Sequence, residues 1–259
     1  MSTNRRDFLK VAGCSLLGAG ALAPVAPRIA AASGGHGETA KREGKRWALI
    51  VDTKKCLEKG GCQACADACH KVHNVPHIPD AKREIKWLWK EPYKHAFPTQ
   101  VHAFTEDGLK DKPVLVLCNH CENPPCVKVC PTKATFKRDD GVITMDMHRC
   151  IGCRYCMAAC PYGSRSFNWK DPKPLVAQKD PTFPTRTKGV VEKCNFCAER
   201  LAQGRAPACV EASQNTGCNA LMFGDLNDAS SGLAQTLKGR HNIRRKPFLG
   251  TEPHVFYLI

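Results

Sequence analysis

Sixteen cysteines fall into four groups of four, and their spacing selects a chemistry. The first group is Cys56, Cys62, Cys65 and Cys69. The second is Cys118, Cys121, Cys126 and Cys130, followed by Pro131. The third is Cys150, Cys153, Cys156 and Cys160, followed by Pro161, and the fourth is Cys194, Cys197, Cys209 and Cys218. The third group is the C-x2-C-x2-C-x3-C-P run that holds [4Fe–4S] cubanes, without deviation. Three thiolates on one short loop wrap three corners of a cubane. The x3 step starts a helical turn and carries the fourth sulfur away, to the other cluster of a pair. The proline suits a chain leaving that turn with φ fixed and no N–H to satisfy. Sixteen thiolates supply four [4Fe–4S] clusters.

The other groups depart from this pattern by degrees. The second widens its middle gap to four residues, stiffened by Pro124-Pro125. Between it and the third group, Thr135–Lys137 and Val142–Met145 flank Asp139-Asp140-Gly141, a hairpin signal. Loop, short helix, strand, turn, strand and loop is the ferredoxin arrangement. In the first group Glu58-Lys59-Gly60-Gly61 lengthens the first gap, and the glycines supply tight backbone. The fourth group is the least regular. Cys209 follows a helix expected over Ala198–Gly204, and an x3 step from it lands on Ser213. Cys218, five residues on, is the expected ligand; the alternatives are a three-iron cluster, or ligation by Ser213 or water.

Competing chemistries fit less well. Zinc favours isolated C-x2-C pairs over quartets ending in Cys-Pro. Disulfides need no clustering of four thiols around one point. Haem c attachment needs C-x-x-C-H, and no pair has that histidine. His70, His73, His77 and His120 lie near the cysteines as supporting residues rather than ligands. No phosphate loop, G-x-S-x-G or dinucleotide fingerprint is present, so no catalytic site is expected.

The elements that must carry these loops belong to one or two domains. No stretch beyond the N-terminus approaches the ~20 apolar residues of a membrane helix. Asn4-Arg5-Arg6-Asp7-Phe8-Leu9-Lys10, an apolar run from Val11 to Ala26 and Ala30-Ala31-Ala32 read as a twin-arginine export signal over residues 1–32. Cys14 lies inside it and is no ligand. That route carries folded proteins, so clusters are inserted in the reducing cytoplasm before the chain reaches the periplasm. The formal charge is +15. Without residues 1–32 it is +12, and four clusters of about −2 each bring it to roughly +4. The basic excess balances buried clusters, and no nucleic-acid partner is expected.

The four cysteine groups, Lys193-Cys194-Asn195-Phe196-Cys197, Phe223-Gly224-Asp225-Leu226-Asn227-Asp228 and the closing Leu249-Gly250-Thr251-Glu252-Pro253 resemble the four-cluster electron-transfer subunits of the complex iron–sulfur molybdoenzyme family. The resemblance spans about residues 46–259. The expanded first group, followed by His70-Lys71-Val72-His73-Asn74-Val75-Pro76, the Ile85-Lys86-Trp87-Leu88-Trp89 segment and Ser213 in place of a cysteine are similar to the DsrO branch. These are the periplasmic iron–sulfur subunits of the membrane-bound DsrMKJOP complexes of sulfate reducers and sulfur oxidisers.

The resemblance implies an α+β fold of two ferredoxin-like 2×[4Fe–4S] modules in a pseudo-twofold relation. The first would be formed by residues 46–112 and 171–225 and the second by 113–170, with a linker over 33–45 and a C-terminal arm over 226–259. It also implies four ligand sets: Cys118, Cys121, Cys126, Cys160; Cys150, Cys153, Cys156, Cys130; Cys56, Cys62, Cys65, Cys218; and Cys194, Cys197, Cys209, Cys69. The implied partners are a NrfD-type integral membrane quinone-linked subunit and a periplasmic multihaem cytochrome c. The alternatives are the equivalent subunit of a nitrite, tetrathionate or polysulfide reductase, or a free-standing periplasmic ferredoxin.

Overall fold

A computed structural model describes residues 44–259. The export signal, Cys14 and most of the linker lie outside the described residues. Strand β1, Trp47–Asp52, is almost wholly apolar, and Ala48, Leu49, Ile50 and Val51 are all buried. A strand covered on both faces needs such a continuous run. Asp52 ends it and caps helix α1, Thr53–Glu58, its carboxylate accepting from the Lys55 N–H at 3.2 Å. Helix α2, Ala64–Val72, follows. Strands β2, Leu88–Pro92, and β3, Pro113–Leu117, pair antiparallel. Helix α3, Pro125–Lys128, starts on a proline and leads to the hairpin of β4, Thr135–Lys137, and β5, Ile143–Met145. The hairpin lies where the Asp-Asp-Gly signal places it, with Gly141 left-handed at φ +81°.

Helix α4, Tyr155–Ala158, precedes β6, Ser166–Phe167, which pairs with β7, Val191–Glu192. Helix α5 covers Ala198–Leu201, shorter than the expected Ala198–Gly204 because the chain turns through left-handed Gly204. Helix α6 is Ala208–Asn215, and strand β8 is Leu221–Asp225. Helix α7, Gly232–Gly239, strand β9, Asn242–Ile243, and strand β10, Val255–Leu258, complete the order. The fold is thus α+β, with short helices, small sheets and long loops. Its main sheet runs β8-β1-β10-β9.

Residues 226–259 pack onto this core. Strand β10 lies parallel to β1, Leu49 opposite Val255 and Asp52 opposite Leu258. Helix α7 covers one face of the sheet, where Leu233 packs with Ala48, Ile50 and Leu258. The other face joins Trp87, Phe97, Val116, Phe196 and Tyr257 in the main core. Among the described residues no helix is long and apolar enough to cross a membrane.

Candidate metal centres

Four of the helices carrying cysteines pack in pairs, while α1, with Cys56, rests on strands. Helix α2 lies against α6, which brings Cys65 and Cys69 towards Cys209. Helix α3 lies against α4, which brings Cys126 towards Cys156. The sulfurs gather in four sets, each drawn from two sequence groups. Set A lines one cavity with Cys56, Cys62, Cys65 and Cys218. Set B is Cys69, Cys194, Cys197 and Cys209, mutually close and all buried. Set C lines a second cavity with Cys118, Cys121, Cys126 and Cys160. Set D lines a third with Cys130, Cys150, Cys153 and Cys156. Neighbouring sets touch electrostatically through Cys65 and Cys209, Cys194 and Cys118, and Cys126 and Cys156. The order is therefore A–B–C–D, a row with A and D at its ends.

One backbone device recurs in all four groups. The residue before each second cysteine is left-handed: Gly61 at φ +76°, His120 at +41°, Gly152 at +69° and Phe196 at +54°. Such a turn aims successive backbone N–H groups into the concavity where an anionic centre sits. At Gly152 glycine is obligatory, because a Cβ would run into the Gly189 carbonyl oxygen and lie 3.2 Å from the Phe167 ring. His120 and Phe196 are bulky, so sequence alone gives no warning of their conformation. They stack on each other, centroids 3.6 Å apart, which ties the loops of sets C and B together.

Comparison with known proteins agrees with this architecture. Residues 114–176 match the 4Fe-4S dicluster domain. The chain is 40% identical to the Hdr-like menaquinol oxidoreductase iron–sulfur subunit 1 of Archaeoglobus fulgidus, over 98% of this chain and 97% of that one. It is 36% identical to the iron–sulfur cluster-binding subunit of menaquinone reductase from Nitratidesulfovibrio vulgaris, over 82% and 88%. It is 35% identical to a tetrathionate reductase subunit from Salmonella typhimurium, over 100% and 89%. The chain belongs to this family of iron–sulfur subunits. As a member it carries [4Fe–4S] clusters and serves electron transfer in a redox complex, without a catalytic site of its own.

The donor sets fit the family's cofactor. Four soft sulfur donors per site suit iron–sulfur clusters. Burial, followed by the neighbouring thiols, pushes Cys65 up to about 12 and drives Cys69 and Cys209 well above the ordinary thiol range. Four thiolates side by side need bound cations, and iron supplies them. Backbone N–H groups already point at the sulfurs: Phe196 N–H to Cys194 Sγ at 3.5 Å, and Ala208 N–H to Cys197 Sγ at 3.4 Å. At Cys130 burial raises the thiol. The N–H groups of Thr135, Ala134 and Thr132 and the Thr132 hydroxyl outweigh it and leave the group lowered.

At the irregular end, Cys218 lines the set A cavity, and the Ser213 hydroxyl hydrogen-bonds the Cys65 thiol of the same set. Ser213 is wholly buried, and its hydroxyl oxygen accepts from the Ala220 N–H at 2.9 Å and the Leu221 N–H at 3.2 Å. It fixes the turn that delivers Cys218 and starts β8. Among the histidines, His73 is buried beside set B, stacked on Trp87 at 4.5 Å. Burial lowers its ring, but hydrogen bonds to Cys197 and to Glu199, at 2.8 Å, outweigh this and hold it up to about 9. His120 is driven well down by burial, then by Lys193, and its Nδ1 accepts from the Ile143 N–H at 3.0 Å. His73 and His120 are thus placed as supports to the cysteine loops.

Proposed function

We propose that sets A, B, C and D each hold one [4Fe–4S] cluster and relay electrons along the row A–B–C–D, in two ferredoxin-like modules with a pseudo-twofold relation. The observation that carries this reading is that four four-sulfur sets follow one another, each with a cysteine near enough to one of the next for the two to interact electrostatically. Each cubane supplies a one-electron couple tunable over roughly −700 to +450 mV. The chain's own part is to space the sites, exclude water at B and C, and hold N–H donors on the sulfurs.

The two ends differ in what borders them. Around set D, Ile151, Tyr155, Trp169 and Phe136 are exposed among Lys133, Arg149 and Arg154, and so is Cys153. Around set A the exposed residues are Lys54, Lys55, Glu58, Lys59, Gln63, Asn215 and Thr216. The D end, with its large exposed apolar side chains ringed by cations, suits a NrfD-type integral, quinone-linked subunit, and the A end suits a soluble periplasmic multihaem cytochrome c. The similarity to a menaquinol oxidoreductase subunit supports the quinone side. Together with the DsrO-like features it favours a DsrO role in dissimilatory sulfur metabolism, after twin-arginine export to the periplasm. A subunit of a tetrathionate reductase is the second reading, favoured by the full-length match to that relative.

The test is anaerobic purification from membranes, with iron and acid-labile sulfide analysis, EPR of the reduced protein and identification of co-purifying subunits. Iron near sixteen per chain, about four per cubane, is expected. A free, membrane-independent monomer would favour the mobile ferredoxin, and zinc without iron would overturn the reading.

A further inference from the structure

A buried guanidinium stands between sets C and D. Arg165 is 4% exposed. Its Nη1 donates to Thr135 Oγ1 at 3.1 Å and lies 3.9 Å from Met145 Sδ, and both partners line the cavity of set D. The Arg165 side chain itself lines the cavity of set C. Its Nη2 is buried with no nitrogen or oxygen partner among the described residues, and the guanidinium hydrogen-bonds the sulfurs of Cys126 and Cys156. The cysteine side chains that face it are Cys126, Cys156 and Cys118.

The other deeply buried arginines are arranged differently. Arg186 pairs with Glu192 at 2.6 Å, Arg245 with Glu91 at 3.0 Å, and Arg200 with Glu211. Among the described residues Arg165 has no carboxylate. A buried cation without a counter-ion is strongly unfavourable. The missing anion is supplied if a [4Fe–4S] cluster with four thiolates fills each neighbouring cavity, so that the sulfurs the guanidinium meets carry charge.

We infer that Arg165 is the shared counter-cation of the clusters in sets C and D, a positioning residue that raises both reduction potentials together and leaves the step between them unchanged. Reduction adds one electron to a cluster, and a fixed positive charge beside it favours that added charge. One guanidinium between two sites acts on both, so their potentials move in parallel. The inference rests on the cluster assignment proposed above.

The experiment compares the intact wild-type chain with Arg165→Gln and Arg165→Lys, first by iron and sulfide content and then by potentiometric titration with EPR detection. A wild-type chain without iron would sink the cluster assignment itself. With iron present, Arg165→Gln should lower two of four midpoint potentials together, by about tenfold in the oxidised-to-reduced ratio, or about 59 mV for one electron. Arg165→Lys keeps the charge but not the fork, and should lower the same two by less. Unmoved potentials in an iron-replete Gln variant, or a change confined to one cluster, would overturn the inference. If the Gln variant does not load, the Lys titration decides. Deuterium exchange gives a further check: electron–nuclear resonance should show exchangeable deuterons coupled to two clusters of the wild type that the Gln variant lacks, and identical spectra would also overturn it.

Discussion

The two ends of the row perform the same task with different loops. At set D the three cysteines of one loop, Cys150, Cys153 and Cys156, have the shortest spacing that wraps a cubane, and large apolar side chains such as Ile151 and Tyr155 are exposed there beside Arg149 and Arg154. At set A the first loop is expanded, the fourth sulfur comes from beyond a helix end, and the surface is polar. The equivalent left-handed glycines show what the difference means. Gly152 is pressed against Gly189 and Phe167, whereas Gly61 has nothing within 4 Å of where a Cβ would sit. A short loop leaves no slack, so D is rigid and sterically determined. A long loop has room, so A depends on a few hydrogen bonds.

This contrast is most severely tested by the same substitution at both ends. Gly152→Ala drives a methyl group into backbone that cannot yield, and should abolish the site at D, removing about a quarter of the iron. Gly61→Ala meets open space and should cost only the left-handed strain of roughly 1–2 kcal/mol, with iron retained. Iron analysis of the two variants decides it, and equal losses would erase the distinction. The surface contrast is tested next. Ile151→Asp with Tyr155→Asp should leave iron unchanged and weaken retention on membranes tenfold or more, about 1.4 kcal/mol or above. Charge reversal of Lys54 and Lys55 at the A end should leave membrane retention intact. Sedimentation with native membranes reads both.

At A itself the effect should be smaller, a single iron. Cys218→Ala removes one of four sulfurs and should leave a three-iron cluster, visible as an oxidised-state EPR signal absent from the wild type. Unchanged iron and spectra would return the ligand role to Ser213 or to water.

The sequence made the D end more legible than the A end for the same physical reason. Where cysteines lie two or three residues apart, spacing alone fixes what they can wrap. The β4–β5 hairpin was equally legible, because Asp139-Asp140-Gly141 encodes its turn locally. Other features depend on residues far apart in the chain. The parallel pairing of β1 with β10 joins segments about two hundred residues apart, and no local pattern announces it. Nor does any pattern mark the left-handed His120 and Phe196, which their mutual stacking stabilises. Arg165 escaped notice because its signal is a missing carboxylate, which only packing reveals. Ser213 stood out as an absent cysteine, but what its hydroxyl does instead became visible only with the fold.

That hydroxyl gives the mildest test of the contrast. Ser213 Oγ accepts two buried N–H groups, from Ala220 and Leu221, at the point where the chain leaves α6 and enters β8. Ser213→Ala leaves both donors without a partner, at a cost of about 1–3 kcal/mol. If slack at A is held by such bonds, the variant should lose cluster absorbance at a lower temperature while keeping its full iron content when cold. The C-x2-C loops of set D do not use this hydroxyl, so the absorbance should fall in two phases, with set A first. A single cooperative loss, at the wild-type temperature, would mean that the expanded loops are as firmly held as the short ones. The difference between the two ends would then be one of surface alone.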